Sequence, residues 1–183
     1  MKKIIILFFI LALGTSLRLF YLDSRPLGFT WDEAALGYNA YSLLKTGRDE
    51  HKQALPIIFK SFGDYKPGLY VYLTVPSIAS LGLNEFATRL PSALMGTILV
   101  IVVYLWTKNL WITGLLALNP WAIHFSRGAW ESNVSLTLTV LGVVLLIKKR
   151  WLLSALFLGL TFWTYQGAKM FTPLIILSYL FFY

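Results

Sequence analysis

Ala87–Trp106 reads ATRLPSALMGTILVIVVYLW, twenty residues with a single charge, Arg89, near the start. A helix rises about 1.5 Å per residue, so this run reaches about 30 Å, the thickness of a bilayer's hydrocarbon core. It predicts a membrane-crossing helix. The whole composition agrees. Hydrophobic residues make up 57% of the 183 and charged residues 13%, with a mean hydropathy of +0.68. A soluble domain carries about 25% charged residues. Aromatics reach 16%, with seven Trp, which suits rings placed at headgroup depth.

Other apolar runs flank this one. Lys2-Lys3 followed by Ile4–Leu17 looks like a signal peptide, but no small-x-small cleavage site follows. The run continues through Arg18 to Leu22 and reads as a retained first span, 4–22, with its lysines cytoplasmic and Arg18 snorkelling at the outer end. Downstream, 110–126 carries Pro120, 134–147 ends at Lys148-Lys149-Arg150, and 151–164 and 173–183 follow. The expected fold is therefore all-α, a polytopic integral membrane bundle.

The stretch 68–83 is apolar but only about 16 residues long, with Pro76 inside it, and a span needs about 20. Parity decides its reading. Lys148-Lys149-Arg150 is the strongest cytoplasmic signal after the N-terminus, and four crossings (4–22, 87–106, 110–126, 134–147) place it inside. Counting 68–83 as a fifth would put it outside. The stretch is expected to be a juxtamembrane or re-entrant helix within an external loop covering 23–86.

That loop holds most of the acids: Asp23–Lys66 has six Asp/Glu and six Lys/Arg. Thr30-x-x-Glu33 is a capping box, so a helix should start at Trp31, carry Lys45 in its last turn and stop at Gly47. Its apolar side chains suit a helix lying on the membrane. Arg48–Lys66, broken by Pro56 and Gly63, reads as irregular chain. Trp31-Asp32-Glu33 thus sets two carboxylates beside a bilayer, where ionisable groups usually serve function. First-turn acids also stabilise a helix N-terminus, and Glu33 has that role open to it.

The same topology gathers Asp32, Glu33, Lys66, His124, Arg127, Glu131 and Lys169 on the outer face. Lys108 and the 148–150 cluster fall on the other. Carboxylates can deprotonate a hydroxyl or hold a divalent cation, and cations can hold a phosphate. Together they suit transfer from a lipid phosphate to a hydroxyl. Glu131 and Arg127 also stand at the spacing of an ordinary helical pair, and Lys66 and Lys169 could simply snorkel. The net charge of +8 is spread over loops between apolar runs, which points to anionic headgroups or lipid phosphate and not to nucleic acid. The absence of Cys excludes disulfides, Cys-ligated zinc and thiol catalysis, and two distant histidines give no metal signature.

Trp31-Asp32-Glu33, Lys66-Pro67, Arg89-Leu90-Pro91-Ser92-Ala93-Leu94, Asn119-Pro120-Trp121 and Ser126-Arg127 occur in an order that resembles the N-terminal part of a GT-C membrane glycosyltransferase. The nearest group is that of dolichyl-phosphate-mannose protein mannosyltransferases and lipid A aminoarabinose transferases. The resemblance runs over nearly the whole chain. It implies inverting transfer of a sugar from a polyprenyl-phosphate carrier to a protein, lipid or glycan acceptor at the outer face of a multi-pass membrane protein (the plasma membrane in a prokaryote). It implies Asp32 as the base, Glu33 completing the acidic pair, Glu131 as a second acid, and Lys66 on the carrier phosphate, with Lys169 and Arg127 as further cations. No cofactor is implied with certainty, and a divalent cation fits the acids. Such enzymes have many more spans, so the chain is expected to be a fragment that a C-terminal half completes. Two rival readings are a non-catalytic accessory subunit and a small transporter piece, the latter calling for charges inside spans or paired broken helices.

Overall fold

The computed structural model describes residues 2–182. The expected end of the last apolar run, Tyr183, lies outside the described residues. About 72% of the chain is helical. The helices are α1 (Lys2–Leu19), α2 (Trp31–Thr46), α3 (Leu69–Leu81), α4 (Glu85–Thr107), α5 (Leu110–Leu118), α6 (Pro120–Arg127), α7 (Glu131–Ile147), α8 (Trp151–Phe162) and α9 (Ala168–Phe182). Between α2 and α3 lies a hairpin of β1 (Ile58–Ser61) and β2 (Asp64–Pro67).

Helix α4 contains the apolar run 87–106. Asn84 caps it by accepting from the Ala87 amide, and Lys108, in the left-handed region at φ 53°, ends it. Its 23 residues make it, among the described residues, the one helix long and apolar enough to cross a membrane unaided. Pro91 sits inside it. Proline has no N–H, so the Ala87 carbonyl loses its helical donor. The Ser77 hydroxyl takes that place at 2.6 Å, and Tyr70 donates to the Thr88 carbonyl at 3.0 Å. Both donors come from α3, so the proline gap stitches α3 to α4. Helix α3 itself has 13 residues and continues through Pro76. It rises about 20 Å, short of a bilayer core.

The structure departs from the sequence reading in four places. First, 110–126 is not one helix. It breaks at Asn119-Pro120, where Asn119 caps α6 by accepting from Ala122 N. Second, Arg18 does not snorkel. It is buried, and its guanidinium donates to Gly14 O (2.8 Å), Ala117 O (3.0 Å) and Leu116 O (3.4 Å). Leu116 lies four residues before Pro120 and so loses the usual helical donor, keeping a long bond from the Asn119 amide (3.4 Å). Arg18 therefore serves the carbonyls freed at this break.

Third, Arg48–Lys66 is not all irregular. Ile58–Pro67 folds into an antiparallel hairpin pairing Phe59 with Lys66 and Ser61 with Asp64. Its two-residue turn, Phe62-Gly63, has φ of 47° and 84°, the positive pair that a tight hairpin uses. Fourth, part of the apolar side of α2 packs inside the bundle, while Trp31, Tyr38 and Leu44 stay exposed. Leu36, Ala40 and Leu43 are buried in a core shared with Tyr70 and Val71 of α3, Ala87 of α4, and Val134 and Leu138 of α7. The boundaries of α2 are as the sequence predicts: the Thr30/Glu33 capping box is formed, and Gly47 ends the helix at φ 66°.

Side-chain contacts fix how the helices run. Ile6 lines a groove with Leu110 and Trp111, Gly14 packs on Ala117, and Arg127 reaches Leu17 O. The broken α5–α6 pair therefore runs alongside α1 in the same direction. Asn133 bonds Ser92 O and Thr137 bonds Met95 O, so α7 runs parallel to α4. Helices α6 and α7 meet at a bend of 118°. Ser154 bonds Gly142 O as α8 returns, and Trp163 O accepts from Leu69 N. One end of the bundle thus gathers Arg89, Arg127, the start of α7 and the start of α3.

Candidate active site

At that end, Asp32 occupies the first turn of α2, and its Oδ1 lies 2.8 Å from the Lys66 ammonium. The acid is the more open partner, with 38% of its side chain exposed against 14% for Lys66. The placement of Lys66 follows from the hairpin. Opposite it in the register stands Phe59, whose ring is buried and packs edge-on against Tyr72. The loop after α8 holds the hairpin from the other side: Trp163 Nε1 donates to Ile57 O at 2.8 Å, and Gln166 Nε2 to Tyr65 O at 2.9 Å.

Glu131 begins α7 and is half-buried. Burial pushes its carboxyl above the ordinary range, against the pull of its own backbone amide and of Lys66, while the charges of Asp32 and Asp64 push it further up. Glu131 therefore lies in the same electrostatic field as the Asp32–Lys66 pair. Two acids and a cation from three separate elements converge here.

Glu33 sits differently. It is buried, and both carboxylate oxygens are occupied. Oε1 accepts from Arg89 Nε (2.8 Å) and from the Ala129 amide (3.0 Å). Oε2 accepts from the Thr30 amide (3.0 Å) and from Arg89 Nη2 (3.2 Å). Burial opposes its charge, but these hydrogen bonds and the Arg89 charge outweigh burial and hold the carboxyl below its usual range.

Arg127 is likewise engaged. Its guanidinium donates to the carbonyls of Leu17, Phe20, Tyr21 and Arg25 at 2.6–3.1 Å. Those bonds place it on the chain that leaves α1, not on the Asp32–Lys66 pair. Lys169, exposed at the start of α9, forms no ion pair among the described residues. It follows Gln166 by three positions, and Gln166 touches β2. His124 is exposed, edge-on to Phe125.

Arg89 is the residue sequence reasoning missed. It is fully buried and also donates to Leu22 O (3.1 Å), Asp23 O (3.4 Å), Pro26 O (3.3 Å) and Gly28 O (2.7 Å). The signal was available: it is the one charge in an apolar run, and charge in such a run is costly unless it has a task.

A scan against protein-family models, a search of curated proteins and a search of solved structures each returned no match. Among the described residues no three His, Asp or Glu side chains gather so as to hold a metal ion. Asp32 and Glu131, with Lys66 against one of them, do not make up the oxygen-rich donor set that a hard cation takes.

Proposed function

We propose that the chain is part of a polytopic membrane glycosyltransferase of GT-C type, working at the outer membrane face on a polyprenyl-phosphate sugar. The observation that carries this reading is the Asp32–Lys66 pair at 2.8 Å, with Glu131 in the same field. An exposed carboxylate beside a shielded ammonium matches what the transfer needs. Asp32 takes the proton of an acceptor hydroxyl. The freed oxygen forms a bond to the anomeric carbon from the face opposite the phosphate, the bond from that carbon to the phosphate oxygen breaks, and the configuration inverts. Lys66 meets the charge that develops on the departing phosphate, and Lys169 is kept as a further cation for the carrier on the resemblance alone. Glu131, with its raised affinity for a proton, orients the acceptor or the sugar as a second acid. The acceptor is a protein, lipid or glycan hydroxyl.

Helix α4 is the crossing element in this reading, with α1, the α5–α6 pair and α7 beside it. The test is transfer of labelled sugar from a polyprenyl-phosphate donor in membranes holding the full-length protein. Wild type transfers, and Asp32→Asn loses at least two orders of magnitude, the scale of general-base catalysis. Full transfer by Asp32→Asn sinks the base role. The bent α6–α7 pair, the break between α5 and α6, and the buried Arg18 and Arg89 inside two of the expected spans are the features that favour a transporter piece instead, since such proteins use broken helices and charges within spans. Solute flux in proteoliposomes without any sugar transfer would support that reading.

A further inference from the structure

We infer that the Arg89–Glu33 pair is a positioning device that sets the distance between Asp32 on α2 and Glu131 on α7, and that Glu33 is not itself a catalytic acid. The inference rests on the glycosyltransferase reading for its functional consequence, and on geometry alone for its structural one. Glu33 follows Asp32 directly in the first turn of α2, so whatever holds Glu33 holds Asp32. The same carboxylate accepts from the Ala129 amide, two residues before Glu131. One buried group therefore grips both acid-bearing segments. Neither oxygen is left for a substrate, because five donors already fill them, the Thr30 hydroxyl among them.

The chain leading into α2 is gripped in the same way. Arg89 takes the carbonyls of Leu22, Asp23, Pro26 and Gly28. Arg127, from the turn that leads to Glu131, takes those of Leu17, Phe20, Tyr21 and Arg25. The two arginines interleave along 17–28, where the chain leaves the last turn of α1 and, apart from short turn bonds such as Arg25 N to Tyr21 O, has no regular ladder. A planar guanidinium with five donors suits such a task, whereas an ammonium lacks the fork. Catalytic groups need placement within about 0.5 Å, so a supporting pair of this kind governs rate more than binding.

The test uses Glu33→Gln, which keeps the shape and removes the charge, and Arg89→Lys, which keeps the charge and removes the fork. These 183 residues hold no cysteine, so in a chain of these residues Ala34→Cys and Ser132→Cys supply the two thiols for spin labels next to the two acids. In the otherwise unchanged protein, electron paramagnetic resonance should give one narrow distance distribution between the labels. Both variants should broaden it while helix content by circular dichroism stays constant. In the transfer assay, without labels, both should lower kcat at least tenfold and change the donor KM by less than threefold. An unchanged distance distribution in both variants overturns the inference, as does a raised donor KM at constant kcat, which would make Glu33 or Arg89 a donor ligand. Absence of transfer by wild type would count against the glycosyltransferase reading alone, because the distance measurement still reads the positioning role.

Discussion

Arg89 and Glu33, 56 residues apart in the chain, meet as a buried ion pair with Nε 2.8 Å from Oε1. Leaving one charge of such a pair without its partner costs about 3–5 kcal/mol. Arg89→Met should therefore destabilise the folded protein by that order, read as a fall in the detergent-solubilised melting temperature. Adding Glu33→Gln to Arg89→Met should recover part of the loss, because the uncompensated carboxylate is then gone. Equal and additive losses would show that the two side chains do not act as a pair.

The same pair sets an acid limb. Its bonds hold the Glu33 carboxyl below the ordinary value near 4.5. In that case the stability it contributes is present above the unfolded value and is lost as pH falls through the folded one. The wild-type melting temperature should drop as pH is taken below about 4.5. Glu33→Gln should start lower at neutral pH and fall less over the same acid range.

Glu131 should behave in the opposite sense. Burial, with Asp32 and Asp64 adding to it, raises its carboxyl. A raised folded value contributes stability below the unfolded value, and that stability is lost as pH rises through the folded one. At neutral pH the charge is a burden, so Glu131→Gln should raise the melting temperature at pH 7. The same change should lower sugar transfer, a trade of stability against activity seen where a strained group serves function. Unchanged transfer together with unchanged donor affinity would remove Glu131 from the site.

Close packing gives a prediction free of any functional reading. A Cβ at Gly96 of α4 would collide with the hydroxyl and Cβ of Ser126 on α6. Gly96→Ala should cost about 1–3 kcal/mol, the usual scale of overpacking. Ser126→Gly in the same chain should restore much of it, despite losing the Ser126 hydroxyl bond to Ala122 O. A double-mutant cycle of melting temperatures checks both.

The topology has its own test. Lys148→Cys, in a chain without other thiols, should react with a membrane-impermeant maleimide only after the membrane is opened. Labelling from the outside of intact cells would reject the placement of the acids on the outer face.

Local features were legible where local physics decides them. Thr30, Glu33 and Gly47 bound α2 because caps act within one turn, and the structure forms both ends as read. The hairpin was missed because its turn is Phe62-Gly63, without the Asn-Gly or Asp-Gly pair that marks such turns, and because Pro56 and Gly63 look like breakers. The break at Asn119-Pro120 was written in the sequence as well, but an apolar run of the right length concealed it.

The sequence by itself determined the apolar run of α4, the start and stop of α2, and the presence of Asp32 and Glu33 side by side. Those follow from helix rise, hydropathy and capping, which depend on near neighbours. Only the tertiary structure decided that the two acids differ. Asp32 meets Lys66 and stays open, while Glu33 is closed in by Arg89, Thr30 and Ala129. The donors that separate them come from α4 and from the turn before α7. The cost of burying a charge is met only where packing brings such partners within hydrogen-bond reach.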